Sequence, residues 1–186
     1  MDDMVSARVV ALVGMPGSGK SEAAAIFVRK GFKRIRFGEL TDEAIRQQGL
    51  ELNEDNERRA REDLRKRHGM AAYAMLSLPR IQAGLKETDI VIDGLYSWEE
   101  YKYLKENLGV NLVIVAVWSP PSLRYKRLQE RRVRPLTMEQ ARSRDYAEIE
   151  NINKGGPIAM ADYMIINDST MDSLVTQAEK IIRLIK

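Results

Sequence analysis

A glycine-rich segment near the start of the chain constrains the fold more than any other feature. It reads Gly14-Met15-Pro16-Gly17-Ser18-Gly19-Lys20-Ser21 and fits the pattern G-x-x-x-x-G-K-[ST]. Residues 9–13, which precede it, are apolar and rich in valine, as is typical of a buried parallel strand. Residues 21–30, which follow it, favour a helix that ends at Gly31. The sequence therefore predicts a strand, a tight loop and a helix in that order.

This order of elements suits the binding of phosphate. Glycine allows positive φ and a close approach of the backbone to a ligand, while loop amides and a helix N-terminus supply partial positive charge. Lys20 is expected to reach the β- and γ-phosphates, and the Ser21 hydroxyl to bind Mg²⁺. We therefore predict that residues 14–21 bind a nucleoside triphosphate. The alternative is a glycine-rich turn that fits the pattern by chance.

Composition excludes several classes of protein. The chain has 186 residues, of which 44% are apolar and 31% charged, as in an ordinary globular domain. It has no apolar run of about 18 residues, and the acidic start at Asp2 and Asp3 argues against a signal peptide. Without cysteine, disulfides, thiolate metal sites and cysteine nucleophiles are excluded. We expect a single domain over residues 1–186, away from membranes and in the cytoplasm.

Two acidic residues follow further predicted strands. Residues 32–37 predict a second strand that ends before Glu39, and residues 90–92 form an apolar run that ends in Asp93. Ligands of open α/β sheets bind outside the carboxyl ends of the strands. Glu39 is therefore a candidate to contact a substrate, with a helix N-terminal carboxylate as the alternative. Asp93 has the pattern of a Mg²⁺-linked carboxylate, with an ordinary Asp-Gly turn as the alternative.

Residues 42–84, between these strands, are predicted to be helical. Asn53 is a good N-cap for a highly charged helix that ends at His68, and its mixed charges indicate a solvated face. Another helix is expected over residues 70–85. Its core-facing residues are predicted to be Ala72, Met75, Leu76 and Leu78.

Arginines are concentrated in residues 120–150. A helix is expected to start near Pro121, and a capping box at Thr137 starts a second helix. Guanidinium groups match phosphate oxygens, so a lid made of this hairpin would stabilise a transferring phosphoryl group and exclude water. Arg131 and Arg134 are the candidates for that role. The alternative is a basic, solvated hairpin.

These motifs together resemble P-loop kinases of the nucleoside-monophosphate-kinase type. They are most similar to the adenylate-kinase-related, dephospho-CoA-kinase-like proteins common in archaea, most of which lack an assigned substrate. The similarity covers almost the whole chain. It rests on residues 14–21, Gly38-Glu39, Asp93-Gly94, the arginine-rich hairpin and residues 161–167, a predicted fifth strand that precedes a final helix.

The resemblance implies a three-layer α/β fold with a parallel sheet of strand order 2-3-1-4-5, the fourth strand being residues 112–118. Residues 39–84 would bind the acceptor, residues 120–150 would form the lid, and Asn167 would lie near adenine. The implied reaction is transfer of the ATP γ-phosphoryl group, with Mg²⁺, to a nucleotide-like acceptor such as a nucleoside monophosphate or dephospho-CoA. The protein would act as a monomer or a homodimer.

Two arginines that such kinases use to hold the acceptor phosphate are missing. Monophosphate kinases have Gly-Asp-x-x-Arg after the second strand, where this chain has Glu39 and Asp42. Adenylate kinases have an arginine shortly after the third-strand Asp-Gly, where this chain has Tyr96. Arg46 and Arg80 are candidates to replace them. An acceptor that presents a hydroxyl, with Glu39 as its orienting group or base, is equally permitted.

Two other functions remain open at this stage. A nucleotide-dependent switch would keep the nucleotide site and lose the acceptor contacts, which is one meaning of the missing arginines. A protein acting on nucleic acid would suit the basic hairpin and the net charge of +3. Because aromatic residues are only 6% of the chain and form no stacking array, nucleic acid is not the expected partner.

Overall fold

The apolar runs of the sequence form a five-stranded sheet that is parallel throughout. A computed structural model describes residues 7–186, so the acidic start at Asp2 and Asp3 lies outside the described residues. The strands are β1 Val9–Val13, β2 Lys33–Arg36, β3 Ile90–Leu95, β4 Leu112–Trp118 and β5 Tyr163–Ile166. Their order, β2-β3-β1-β4-β5, is the one that the resemblance to P-loop kinases implied.

Helices connect the strands and cover both faces of the sheet. Those before β4 are α1 Lys20–Arg29, α2 Gly38–Gln47, α3 Glu54–His68, α4 Ala72–Gly84 and α5 Trp98–Leu108. Those after β4 are α6 Pro121–Gln129, α7 Met138–Glu150, α8 Gly155–Ala159 and α9 Met171–Ile185. No helix in residues 7–186 has the length and apolar character that a membrane span requires.

Two apolar layers hold the sheet in place. The central strand β1 is buried along its whole length, because it has helices on both sides. Helices α1 and α9 pack on one face, where Leu174, Ala178, Ile181 and Ile185 are buried as their spacing predicts. Helices α4 and α5 pack on the other face. This arrangement leaves the carboxyl ends of the strands for the connecting loops, where the candidate site lies.

Helix α4 turns a different side to the sheet than the sequence predicted. Met75 and Leu76 are 44% and 37% exposed, and Leu78 is only partly buried. Ala72 is buried as predicted. The row that faces the core is Tyr73, Ser77 and Ile81, which are 0%, 2% and 0% exposed. Tyr73 can be buried because its hydroxyl forms a 2.6 Å hydrogen bond with Thr41 of α2. The spacing of apolar residues in the sequence does not reveal this partner.

The predicted caps are confirmed, and two boundaries differ. Asn53 and Thr137 each cap a helix through a side-chain oxygen as predicted, and Ser97 caps α5 in the same way. Helix α2 begins at Gly38, earlier than expected, so Glu39 lies in its first turn. Two glycines and a proline at residues 155–157 are typical of a loop, yet these residues begin α8. Pro157 is tolerated there because it lies in a first turn whose amides have no intrahelical partner.

Candidate active site

The glycine-rich loop between β1 and α1 has a conformation that requires glycine. Gly17 and Gly19 have φ of 77° and 97°, in the left-handed region. A Cβ atom at Gly19 would lie 2.2 Å from Nδ2 of Asn167, and one at Gly17 would lie 2.7 Å from the backbone oxygen of Arg124. Neighbouring segments therefore pack closely against one side of the loop, while Gly17, Gly19 and Lys20 line a cavity on its other side.

Lys20 faces this cavity without an acidic partner. Its Nζ donates to the backbone oxygens of Gly14 and Met15, at 2.8 and 3.1 Å, and forms no ion pair with any described residue. Burial, followed by repulsion from Lys154, lowers the pKa of Lys20 to about 7. A buried ammonium group that lacks a counter-ion is stabilised by an anionic ligand, so the loop fits a bound phosphate group.

Ser21 and Asp93 meet beside the loop. The Ser21 hydroxyl donates to Oδ2 of Asp93 over 3.1 Å, and Asp93 is only 4% exposed. The register of β3 against β1 shifts by one residue immediately after Asp93, at Gly94, whose φ is 106°. Arg34 of β2 also pairs with the Asp93 carboxylate. A hydroxyl and a carboxylate side by side fit Mg²⁺, which takes few protein ligands and completes its shell with water and phosphate.

The cavity next to the loop has a volume of about 1040 Å³. One wall is the glycine-rich loop, a second is formed by α2 and α3, and a third by residues 127–154. Basic side chains reach it from β2 (Arg36), from α3 (Arg61 and Arg65) and from the loop between α6 and α7 (Arg131 and Arg134). The structure therefore brings five of the candidate site residues to one cavity: Lys20, Ser21, Asp93, Arg131 and Arg134.

Arg131 and Arg134 differ in their partners. Arg131 forms no ion pair with the described residues, and its pKa is lowered by burial and by the nearby Arg144 and Arg134. Arg134 pairs with Glu57 of α3 at 2.5 Å and with Asp42 of α2 at 3.5 Å. Arg134 therefore ties the α6–α7 segment to the opposite wall, while Arg131 is available to a ligand.

Glu39 does not line the cavity. Because α2 begins at Gly38, Glu39 lies in the first turn of that helix and pairs with Arg80 of α4 at 3.1 Å. This position matches the alternative of a carboxylate at a helix N-terminus. Arg46 donates to the backbone oxygen of Asp42 at 3.2 Å, and neither Arg46 nor Arg80 lines the cavity.

Asn167 supports the glycine-rich loop from outside the cavity. Its Nδ2 donates to the backbone oxygen of Ser18 over 2.8 Å, and its backbone oxygen accepts from the Ser119 hydroxyl. The residue is 7% exposed and is not among the cavity-lining residues. The geometry thus gives Asn167 a contact with the loop, and its position near adenine, which the resemblance implies, stays a prediction.

Lys154, Glu148 and Tyr96 are cavity residues that sequence reasoning missed. Lys154 is 1% exposed, its Nζ lies 2.5 Å from Oε2 of Glu148, and it sits 5.2 Å from the ring centroid of Tyr96. Burial opposes the charge on Glu148, but Lys154 and Arg144 lower its pKa to about 2. The sequence signal available for this cluster was the i,i+4 spacing of Arg144 and Glu148. Exposed helices show the same spacing, so it does not indicate a cavity.

Glu100 should make the free energy of unfolding depend on pH. It is fully buried and accepts from the backbone amides of Tyr96 and Ser97, and burial raises its pKa to about 7. Because the folded state holds this proton more tightly than the unfolded state does, its contribution to stability is lost as pH rises from about 4.5 to 7.

We therefore expect Glu100→Gln to flatten that part of the pH profile of the unfolding free energy. The change should be at most about 3 kcal/mol between pH 5 and 8, measured by urea unfolding. Glu106→Gln, an exposed change on the same helix, should leave the profile unchanged. Identical profiles for Glu100→Gln and the wild-type protein would contradict the assignment.

Comparisons with known proteins agree with this geometry. The model of the family described as "AAA domain" matches residues 10–151. A UPF0200 protein of Thermococcus kodakarensis is 35% identical over 178 residues, covering 94% of this chain and 96% of that protein. A UPF0200 protein of Sulfurisphaera tokodaii is 37% identical over 180 residues, covering 95% and 96%.

Solved structures share the fold at low sequence identity. Shikimate kinase from Bacteroides thetaiotaomicron has a TM-score of 0.63 at 14% identity, covering 95% of this chain and 98% of that one. Dephospho-CoA kinase from Campylobacter jejuni has a TM-score of 0.56 at 19% identity, covering 97% and 98%. A gluconokinase from Sinorhizobium meliloti has a TM-score of 0.59 at 17% identity, covering 97% and 94%. The fold is that of P-loop kinases, and by family model and relatives the chain belongs to the AAA domain family and to the UPF0200 proteins.

Proposed function

We propose that the protein is an ATP-dependent kinase that transfers the γ-phosphoryl group to a small-molecule acceptor. One observation carries the proposal: Lys20 and the Ser21–Asp93 pair open onto the same cavity as Arg131. Phosphoryl transfer needs positioning and charge stabilisation rather than covalent catalysis, and the cavity provides both. The fold shared with shikimate, dephospho-CoA and gluconate kinases supports the same class of reaction.

The cavity residues have separate roles in the proposed phosphoryl transfer. Lys20 and Arg131 stabilise the negative charge of the transferring group, and Ser21 and Asp93 hold Mg²⁺. When bound, Mg²⁺ neutralises charge on the β- and γ-phosphates. The ion pairs of Arg134 hold the α6–α7 segment against α2 and α3, so residues 120–150 act as a lid that limits access of water.

The acceptor lies, in this proposal, between the glycine-rich loop and helices α2 and α3. The cavity-lining part of the predicted acceptor segment ends at Arg65, so α4 serves the core instead. A nucleotide-like acceptor, either a nucleoside monophosphate or dephospho-CoA, remains our first candidate. For an acceptor hydroxyl, Asp93, which meets Ser21 beside the loop and lines the cavity, is a better candidate carboxylate than Glu39, which pairs with Arg80.

An acceptor panel tests the proposal. The protein with Mg²⁺-ATP is incubated with nucleoside monophosphates, dephospho-CoA, nucleosides and hydroxy acids, and ADP and product masses are measured. We expect a product heavier than its acceptor by one phosphoryl group. ATP binding without a phosphorylated product from any acceptor would contradict the kinase and favour a nucleotide-dependent switch.

Replacing Asp93 with asparagine should weaken the dependence on Mg²⁺ without unfolding the protein. Asparagine keeps the size and one acceptor oxygen but removes the charge that attracts the cation. We expect the apparent affinity for Mg²⁺ to fall by about 10–100-fold, with activity partly restored at high Mg²⁺. Turnover is measured against Mg²⁺ concentration, with Asp63→Asn as the control because Asp63 is exposed on α3. An unchanged Mg²⁺ profile would remove Asp93 from the metal site.

A further inference from the structure

The α3 wall of the cavity holds an arginine that, like Arg131, has no carboxylate paired with it among the described residues. Most of the lining cations are matched by carboxylates. These pairs are Arg36 with Asp42, Arg61 with Glu54 and Glu57, Arg134 with Asp42 and Glu57, Arg144 with Glu54 and Glu148, and Lys154 with Glu148. Arg65, on the α3 wall, forms neither an ion pair nor a side-chain hydrogen bond with any residue in the part of the chain that the structure describes.

The guanidinium group of Arg65 is nevertheless held in place. It lies 5.3 Å from the ring centroid of Tyr73, whose hydroxyl is fixed by Thr41. Its Nε atom is buried without a hydrogen-bond partner among the described residues. Glu100, a buried carboxylate of the same region, accepts from the backbone amides of Tyr96 and Ser97 through Oε2, while its Oε1 forms no hydrogen bond with the described residues. Burial raises the pKa of Glu100, and Arg65 is the nearby charge that most lowers it, but no hydrogen bond joins the two side chains. A positioned guanidinium group on a cavity wall, with donors that no described residue accepts from, is stabilised when an anion binds.

Tyr96 provides a neutral donor on the same side of the cavity. Its hydroxyl lies 2.9 and 3.2 Å from the positions that Cβ atoms would take at Gly94 and Gly38, so both glycines make room for it. The hydroxyl forms no hydrogen bond with the residues described, and the ring packs against Tyr73 with centroids 5.3 Å apart. Burial raises the pKa of Tyr96 far above neutrality, so this hydroxyl stays protonated and donates.

We propose that Arg65 binds an anionic group of the acceptor, a carboxylate or a phosphate, while the Tyr96 hydroxyl donates a further hydrogen bond to the same molecule. That the ligand is the phosphoryl acceptor rests on the proposed function. Arg65 would then hold the anionic group of the acceptor, the role of the two missing arginines, from a different position in the chain. Its stacking on Tyr73 fixes the plane of the guanidinium group, which favours two parallel hydrogen bonds to a carboxylate or phosphate.

Anion titrations test this assignment without requiring turnover. Inorganic phosphate and malonate are titrated by calorimetry into protein saturated with Mg²⁺-ADP, which leaves the acceptor side open. We expect one of the two anions to bind the wild-type protein, and Arg65→Gln to weaken that binding at least 10-fold. The control Arg67→Gln, an exposed arginine on the same helix that pairs with Asp63, should change it less than twofold. The affinity for Mg²⁺-ADP should change less than twofold in both variants.

The outcomes separate this inference from the proposed function. Binding of phosphate alone indicates a phosphorylated acceptor, binding of malonate alone indicates an acid, and either supports the inference if Arg65→Gln removes it. Equal binding by Arg65→Gln and wild-type protein, or no binding of either anion to the wild-type protein, overturns it.

If Mg²⁺-ADP fails to bind, the proposed function fails, and the titrations are repeated without nucleotide in a Lys20→Ala background. Residual anion binding that still depends on Arg65 then supports the inference on its own. Should Arg65→Gln fail to fold, Arg65→Lys decides the matter, because it keeps the charge and loses the paired donors. A weakening of about threefold supports the inference, and unchanged binding overturns it.

Discussion

Replacing Lys20 with alanine is expected to lower phosphoryl transfer by roughly 10²–10³-fold while leaving the fold intact. Lys20 is the cation inside the glycine-rich loop, and its Nζ donates only to the backbone oxygens of Gly14 and Met15. No carboxylate is left unpaired when it is removed, so stability should not fall. Turnover is measured under saturating Mg²⁺-ATP with the acceptor that the panel identifies, and stability by thermal unfolding.

The matched control is Lys33→Ala. Lys33 lies on β2, outside the cavity, and its side chain is 50% exposed. Its removal should leave turnover within about twofold, because an exposed ion pair contributes little. Full activity in Lys20→Ala would show that the chemistry does not take place at the glycine-rich loop. An equal loss in both variants would show that the assay reports stability rather than catalysis.

Replacing Arg124 with methionine should cost about 3–5 kcal/mol of stability and weaken nucleotide binding as well. Arg124 is 4% exposed and pairs through two nitrogens with Asp145, at 2.9 and 2.6 Å. The same guanidinium donates to the backbone oxygen of Pro16, inside the glycine-rich loop, at 3.0 Å. Its loss leaves the buried Asp145 carboxylate without a counter-charge, with the Tyr125 hydroxyl as its remaining side-chain donor, and removes the donor to the loop carbonyl of Pro16. Urea unfolding measures the first effect, and Mg²⁺-ADP titration the second.

Two comparisons make this prediction specific. Lys126→Met changes an exposed residue of the same helix and should alter stability by less than about 0.5 kcal/mol. In the double variant Arg124→Met/Asp145→Leu no charge is buried alone, so most of the lost stability should return. A loss below about 1 kcal/mol for Arg124→Met would contradict a structural role for the pair.

The sequence predicted the features that local chemistry determines. The loop conformation, the strand order implied by resemblance, and the caps at Asn53 and Thr137 are all present. The direction of single side chains was harder to predict. Arg124 and Arg131 look alike in the sequence, yet Arg124 is buried because Asp145, 21 residues away, meets it. Contacts across such distances follow from packing, which no local pattern contains.

Helix α3 shows a second limit of sequence patterns. Its alternating charges indicate a solvated face, and Arg67 with Asp63 fits that prediction. Glu57, however, is 6% exposed, and Arg61 and Arg65 line the cavity. A polar cavity wall and an outer surface select the same kinds of residue, because both face water in the absence of ligand. The charge pattern of α3 therefore does not distinguish this wall of the cavity, which we propose binds the acceptor, from ordinary protein surface.

Tracing the γ-phosphoryl group tests the central claim most directly. ATP labelled with ¹⁸O in the γ-phosphoryl group is incubated with Mg²⁺, the protein and a small-molecule extract, and the label is followed by mass spectrometry. Our account predicts the label in one organic product made by the wild-type protein and by Lys33→Ala, and its absence with Lys20→Ala. Label found only in inorganic phosphate, or the same products with and without Lys20, would contradict the account.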